Sequence, residues 1–247
     1  TFPPKDDIDH IHHKGIWVAQ GDVNGHDNWS EAEGHARTVN RELSSDAEGP
    51  LFAQLHAFND WVTADDDKLL REDTILRLYN TPDTGRIMDI STTWTAAYGG
   101  VFIGDTKEGG TVSIRLTETM NASDGGTIVN AYGARNEAET WGKPSPWVDY
   151  YGPVEDRVCG VTIMDHPDNF RFPTTWHVRG YGLFTANQWG IHNFTGDWSK
   201  RGDYAMEQGQ SLVFNFRFYI HEGDTDEAAV ADEWLNWAYP PEVSVAE

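Results

Sequence analysis

The chain has 247 residues, 13% of them aromatic, and sets 40 acidic side chains against 18 basic ones for a formal net charge of −22. Its ordinary hydrophobic content argues against global disorder, and its charge argues against nucleic acid and anionic membranes, which would repel it. The longest apolar runs are strand-length, far short of the roughly 20 residues of a membrane helix, so no membrane insertion is expected. The single cysteine, Cys159, leaves no internal disulfide and reads as a small buried hydrophobe in "VCGVTIM".

In chain order, short apolar or alternating runs bounded by Gly, Asn, Asp and Pro predict strands. The candidates are "GIWVAQ", "LFAQLHAFNDWV", "TILRLYN", "RIMDISTTWTAAY", "TVSIRLTE", "VCGVTIMD", "TWHVRGYGLFTA" and "SLVFNFRFYI". Turn signals "NTPDTG", "DTKEGG", "ASDGG" and "HPDN" separate several of them. In "RIMDISTTWTA" the alternation puts Met88, Ile90, Thr92 and Trp94 on one face and Ile87, Asp89, Ser91 and Thr93 on the other, the pattern of a half-buried strand. One helix is predicted, over residues 224–238, with acidic residues in its first turn and Pro240–Pro241 as its stop. The expected fold is all-β: one domain over 1–247, a large antiparallel sandwich of two stacked sheets with one short C-terminal helix.

Five segments carry candidate chemistry. "DHIHHKG" places His10, His12 and His13 together. Within a strand His10 and His12 would share a face and could hold a divalent metal ion with a third ligand from elsewhere, such as His26 or His177. Sugar binding or acid–base work, and a structural role, are the other readings. "GDVNGHDNW" offers Asp22 and Asn24 as ligands for substrate hydroxyls, but it lacks the downstream Glu of a calcium loop and reads more readily as an Asx turn. In "GDTKEGG", Glu108 is a candidate general base with Lys107 as charge stabiliser, against a plain solvated hairpin.

"WGKPSPWVDYYG" gathers Trp141, Trp147, Tyr150 and Tyr151, either sandwich core or the aromatic lining that sugar rings stack on. "MDHPDNFRFPTTWHVRGYGLF" is the densest segment, with His166, Asn169, His177 and Arg179. Either histidine suits an acid role near neutral pH.

The blocks "FPPKDDIDHIHHKGIWVAQGDVNGHDNW", "GDTKEGG", "WGKPSPWVDYYGPV", "IMDHPDNFRFPTTWHVRGYGLFTAN" and "FRFYIHEGD" resemble, in order and over nearly the whole chain, the PmoA-like family of bacterial proteins of unknown function. The name alludes to methane oxygenase, whose membrane spans this sequence lacks. The resemblance implies a sandwich similar to that of aldose mutarotases, with His166 or His177 as acid and Glu108 as base. Relatives carry strands before the histidine block, which here starts close to Thr1, so the resemblance also implies a short form or a fragment whose sheet edges another segment or subunit fills.

The expected function is a carbohydrate-active enzyme of epimerase, lyase or hydrolase type, acting on a sugar or oxidised glycoside. His13, Glu108, His166 and His177 are the expected catalytic residues. Asp22, Asn24, Lys107, Trp141, Tyr150, Asn169 and Arg179 are expected to bind substrate. The alternatives are a glycan-binding protein without catalysis and a metal-dependent enzyme built on His10 and His12. The expected partner is a sugar or glycoside; an oligomer is allowed, and a periplasmic or secreted location is favoured over the cytoplasm.

Overall fold

The structure is a computed structural model that describes residues 10–81 and 85–241, apart from the side chain of Asp46. Fourteen strands are described: β1 Ile16–Gln20, β2 Arg37–Glu48, β3 Phe52–Val62, β4 Lys68–Tyr79, β5 Gly85–Thr95, β6 Val101–Ile103, β7 Gly109–Arg115, β8 Thr127–Asn130, β9 Trp147–Val154, β10 Arg157–Asp165, β11 Trp176–Val178, β12 Leu183–Ala186, β13 Tyr204–Met206 and β14 Ser211–Glu222. The α-helices are α1 Asn136–Thr140, α2 Ile191–Thr195 and α3 Val230–Ala238. An eight-stranded sheet runs β2-β3-β4-β5-β14-β10-β9-β8, a four-stranded sheet β1-β7-β12-β11, and β13 pairs with β6. Every strand pairing is antiparallel. The chain is therefore the all-β sandwich with a short C-terminal helix that the alternation predicts.

The core lies between the sheets. On β14, Leu212, Phe214, Phe216 and Phe218 are buried at every second position, and the small sheet sends Val112, Ile114, Trp176, Val178, Phe184 and Ala186 into the same cluster. Each fully buried Phe contributes roughly 1.5–3 kcal/mol. Trp61 packs on Trp94 with ring centres 4.9 Å apart, and Trp94 stacks on Trp189 at 6.1 Å. On β5 Ile90, Thr92 and Trp94 are buried, as the alternation predicts, and so is Thr95 at the strand end. Because inward positions alternate with outward ones, the small sheet presents Trp17, Thr111, Ser113, Arg115, Thr185 and His177 on its outer face.

The structure differs from the sequence reading in several places. "TWHVRGYGLFTA" is two strands, because Arg179 N–H bonds Leu183 O and Gly182 turns at φ +89°, folding β11 back on β12. The helix starts at Val230 instead of Asp224. Residues 224–229 are turns, held by the Asp224 carboxylate on the N–H groups of Asp226 and Glu227 and by Ala229 at φ +50°. The strands β2, β6, β8, β9 and β13 were not among the candidates; β2 reads "RTVNRELSSDAE", too polar for alternation to mark, and forms a solvated edge with two register shifts. Cys159 is only partly buried.

Candidate functional site

Residues 10–13 form a tight turn before β1 instead of joining it, closed by His13 N–H on His10 O at 3.0 Å. Strand parity therefore does not group the histidines; the turn does. His10 and His13 stack with ring centres 4.8 Å apart, and His12 meets His13 edge-on at 4.3 Å. His13 is buried, stacks on Trp17 at 5.3 Å and contacts an Arg115 guanidinium nitrogen through Nδ1 at 3.2 Å. Arg115 in turn lies over the Tyr181 ring, 4.7 Å from its centre. Burial, then the neighbouring His10, lowers the pKa of His12. Among the described residues, no three His, Cys, Asp or Glu side chains are grouped to hold a metal ion.

His177 sits on edge strand β11 of the same sheet. One row of paired residues crosses all four strands: Trp17 opposite Ser113, Ser113 opposite Thr185, Thr185 opposite His177. Ser113 and Thr185 are joined by their hydroxyls. His177 Nδ1 lies 2.7 Å from the Lys107 carbonyl oxygen. A carbonyl only accepts, so Nδ1 carries the proton. Burial lowers the His177 pKa to about 4, so the ring is neutral at pH 7 and Nε2 presents a lone pair. That nitrogen is buried and has no hydrogen-bond partner. Trp141 meets the imidazole edge-on at 6.4 Å and packs against Phe194.

Glu108 follows the turn that holds His177 and is ion-paired with Lys107. Its charge favours the protonated forms of both His177 and His12. Its place is fixed by backbone: Gly21 N–H bonds the Glu108 carbonyl at 2.7 Å, and a Cβ on Gly21 would overlap that oxygen. Arg179 enters from the β11–β12 turn and is anchored on Glu137 of α1 at 2.6 Å. The structure thus gathers His12, His13, Lys107, Glu108, Trp141, His177 and Arg179 around one sheet face. Sequence reasoning missed Trp17, Trp29, Ser113, Arg115, Tyr181 and Thr185 as members. The signal was the run of polar residues at alternate positions in "TVSIR", visible only once the opposite face is known to be core.

The remaining candidates lie elsewhere. His166 lines a cleft of about 420 Å³ on the outer face of the large sheet with Asp89, Asn215 and Trp237. Asn169 clips the end of β10 to β14, donating to Asp165 and to Asn215 O and accepting from Asn215 N. Tyr150 is buried between the sheets with its hydroxyl on Gly180 O at 3.0 Å, and burial pushes its pKa up to about 12. Asp22 accepts from Gly25 N–H, and Asn24, at φ +54°, accepts from Phe102 N–H, so both build the turn that carries β6.

Among the described residues no helix is long and apolar enough to cross a membrane. No curated protein matches the chain. The model of one protein family, described as a family of unknown function (DUF6807), matches residues 2–235, and the chain belongs to that family.

Proposed function

We propose that the outer face of the four-stranded sheet is an acid–base site for a sugar or oxidised glycoside, with His177 as the proton acceptor. One observation carries this reading: the buried, neutral His177, whose Nδ1–H is fixed on Lys107 O and whose Nε2 has no partner. Buried polar atoms are almost always paired, and a fixed tautomer with a bare lone pair beside a carboxylate is the arrangement general-base catalysis needs. The ring is neutral at neutral pH, so it starts the reaction as base. This reverses the roles that the likeness to aldose mutarotases implies.

In an oxidised sugar, His177 Nε2 takes a proton from the carbon beside the carbonyl. The electron pair of that bond moves to the carbonyl oxygen, where Lys107 and Arg179 supply positive charge. The negative charge of Glu108 stabilises the imidazolium that forms. Return of the proton to carbon gives an epimer, and expulsion of a β-substituent gives an elimination product. Trp141 offers a ring face to the apolar side of the sugar.

Deuterium uptake from D2O, followed by proton NMR over a panel of aldoses, methyl glycosides and oxidised glycosides, tests this without prior choice of product. The wild-type protein is expected to exchange a sugar C–H, and His177→Gln, which keeps a donor for Lys107 O, to exchange it at least ~100-fold more slowly. Sugar binding without exchange would instead identify a non-catalytic glycan-binding protein.

A further inference from the structure

At the other end of the same row lies a small cavity of about 240 Å³ lined by Trp17, Asn28 and Trp29 together with the charged or titratable His12, Lys14, Glu31 and Arg37. Three of these lining residues carry a buried nitrogen without a hydrogen-bond partner: Trp17 Nε1, Asn28 Nδ2 and Trp29 Nε1. All three are donors. Trp29 is 4% exposed and Asn28 is 9% exposed, so bulk water does not satisfy them. The charges beside them are internally balanced: Lys14 pairs with Glu31 at 2.6 Å, and Arg37 pairs with Asp66. The Asp27 carboxylate is already taken by the N–H groups of Trp29 and Ser30 and by the Ser30 hydroxyl.

The three buried atoms left without partners only donate, and a group that only accepts matches them. A hydroxyl carries its own proton and fits such a set less well than a carboxylate, which accepts two or three N–H bonds and gains from its charge. The register supplies a second constraint. Trp17 and His177 are three strand-to-strand steps apart, about 14 Å at ~4.8 Å per step, which is more than one sugar ring. We propose that this pocket is a subsite for the carboxylate of a uronic acid residue, separate from the sugar residue held at His177. The inference rests on the sugar-site reading above. The net charge of −22 repels a polyanion, so the ligand class is an otherwise neutral oligosaccharide bearing an isolated uronic acid.

The test compares methyl β-glucuronide with methyl β-glucoside on the purified full chain, reading affinity and the indole N–H resonances of Trp17 and Trp29, assigned with Trp17→Phe and Trp29→Phe. The glucuronide is expected to bind at least ~10-fold more tightly and to move both resonances, and Asn28→Asp is expected to abolish the preference. Equal affinities, or glucuronide binding that leaves both indoles unmoved, would overturn the subsite and leave the sugar site standing. Failure of both sugars to bind would overturn both readings.

Discussion

Both sheets bury a histidine within a polar cluster on their outer face, and the two clusters differ in one respect. Under the turns at residues 224–229, Asp149 accepts from Thr162 Oγ1 at 3.0 Å, His221 Nε2 at 3.1 Å and Thr225 Oγ1 at 2.7 Å, while His221 Nδ1 reaches Glu222 O at 3.3 Å. Asp149 and Thr162 are fully buried. Each titratable side chain in that cluster is bonded within the protein. On the small sheet, His177 Nε2, Trp17 Nε1, Asn28 Nδ2 and Trp29 Nε1 are buried and left without partners. Burial of polar groups occurs in both places, so burial does not mark a site. Incomplete pairing is what separates these two clusters, and an unpaired buried group costs about 1–3 kcal/mol that folding alone does not recover.

The sharpest way to break this comparison is to delete one histidine partner on each side. Asp149→Ala strands His221, Thr162 and Thr225 together, and the expected loss is about 3–5 kcal/mol, read as a large fall in the thermal midpoint. His177→Gln strands nothing of the kind, and its midpoint is expected to stay within about 1 kcal/mol of wild type while sugar exchange collapses. An Asp149→Ala protein as stable as wild type would remove the structural half of the contrast.

A subtler separation comes from pH. Burial raises the Asp165 carboxyl to about 7, above its unfolded value near 4. Between those values the native state holds the extra proton, so this group's contribution is full at pH 4 and lost as pH rises through 7. Burial lowers His177 to about 4, below its unfolded value of 6.5. There the unfolded state holds the extra proton, so stability rises from pH 4 to 6.5. The two slopes oppose each other, each worth at most roughly 3–4 kcal/mol. Denaturant titrations at pH steps from 4 to 7 should show Asp165→Asn tilting upward with pH and His177→Gln tilting downward. Glu72, raised by burial, and His12, lowered by burial, are common to both variants and cancel in the difference. Parallel profiles would place the titration in other groups.

The sandwich was legible because one face of each long central strand is apolar. "RIMDISTTWTA" and "SLVFNFRFYI" announce their parity, and the core follows from it. The edge strand β2 was not legible, since both of its faces meet polar surroundings and no alternation survives. Half of the site was legible as residue types: the close-set His10, His12 and His13, Lys107–Glu108, and His177 with Arg179. Their grouping was not, because it depends on β1 pairing with β7, far along the chain, Ile16 opposite Ile114 to Gln20 opposite Gly109, and on a hairpin that a single apolar run concealed. Tyr150 shows the opposite limit. Aromatic residues beside Asp and Asn suit either a sugar platform or a core strand, and only the register of β9 against β10, Tyr150 opposite Val161, places its ring between the sheets.

Asn24 gives the smallest expected effect and tests where the site ends. Its side-chain Oδ1 holds Phe102 N–H at 2.7 Å while its backbone sits at φ +54°. Asn24→Gly removes that bond and the longer one from Nδ2 to Gly100 O at 3.4 Å, together worth about 1 kcal/mol, but removes the conformational penalty of a side chain in the left-handed region as well. The two changes nearly offset, so a stability loss below about 1 kcal/mol is expected, with sugar affinity unchanged. A tenfold fall in affinity without a fall in stability would extend the site across β1 to the "GDVNG" turn. It would also mean that the turn's hydrogen bonds, complete within the protein, exchange for a ligand when one arrives, and complete pairing would then no longer separate structural polar clusters from functional ones.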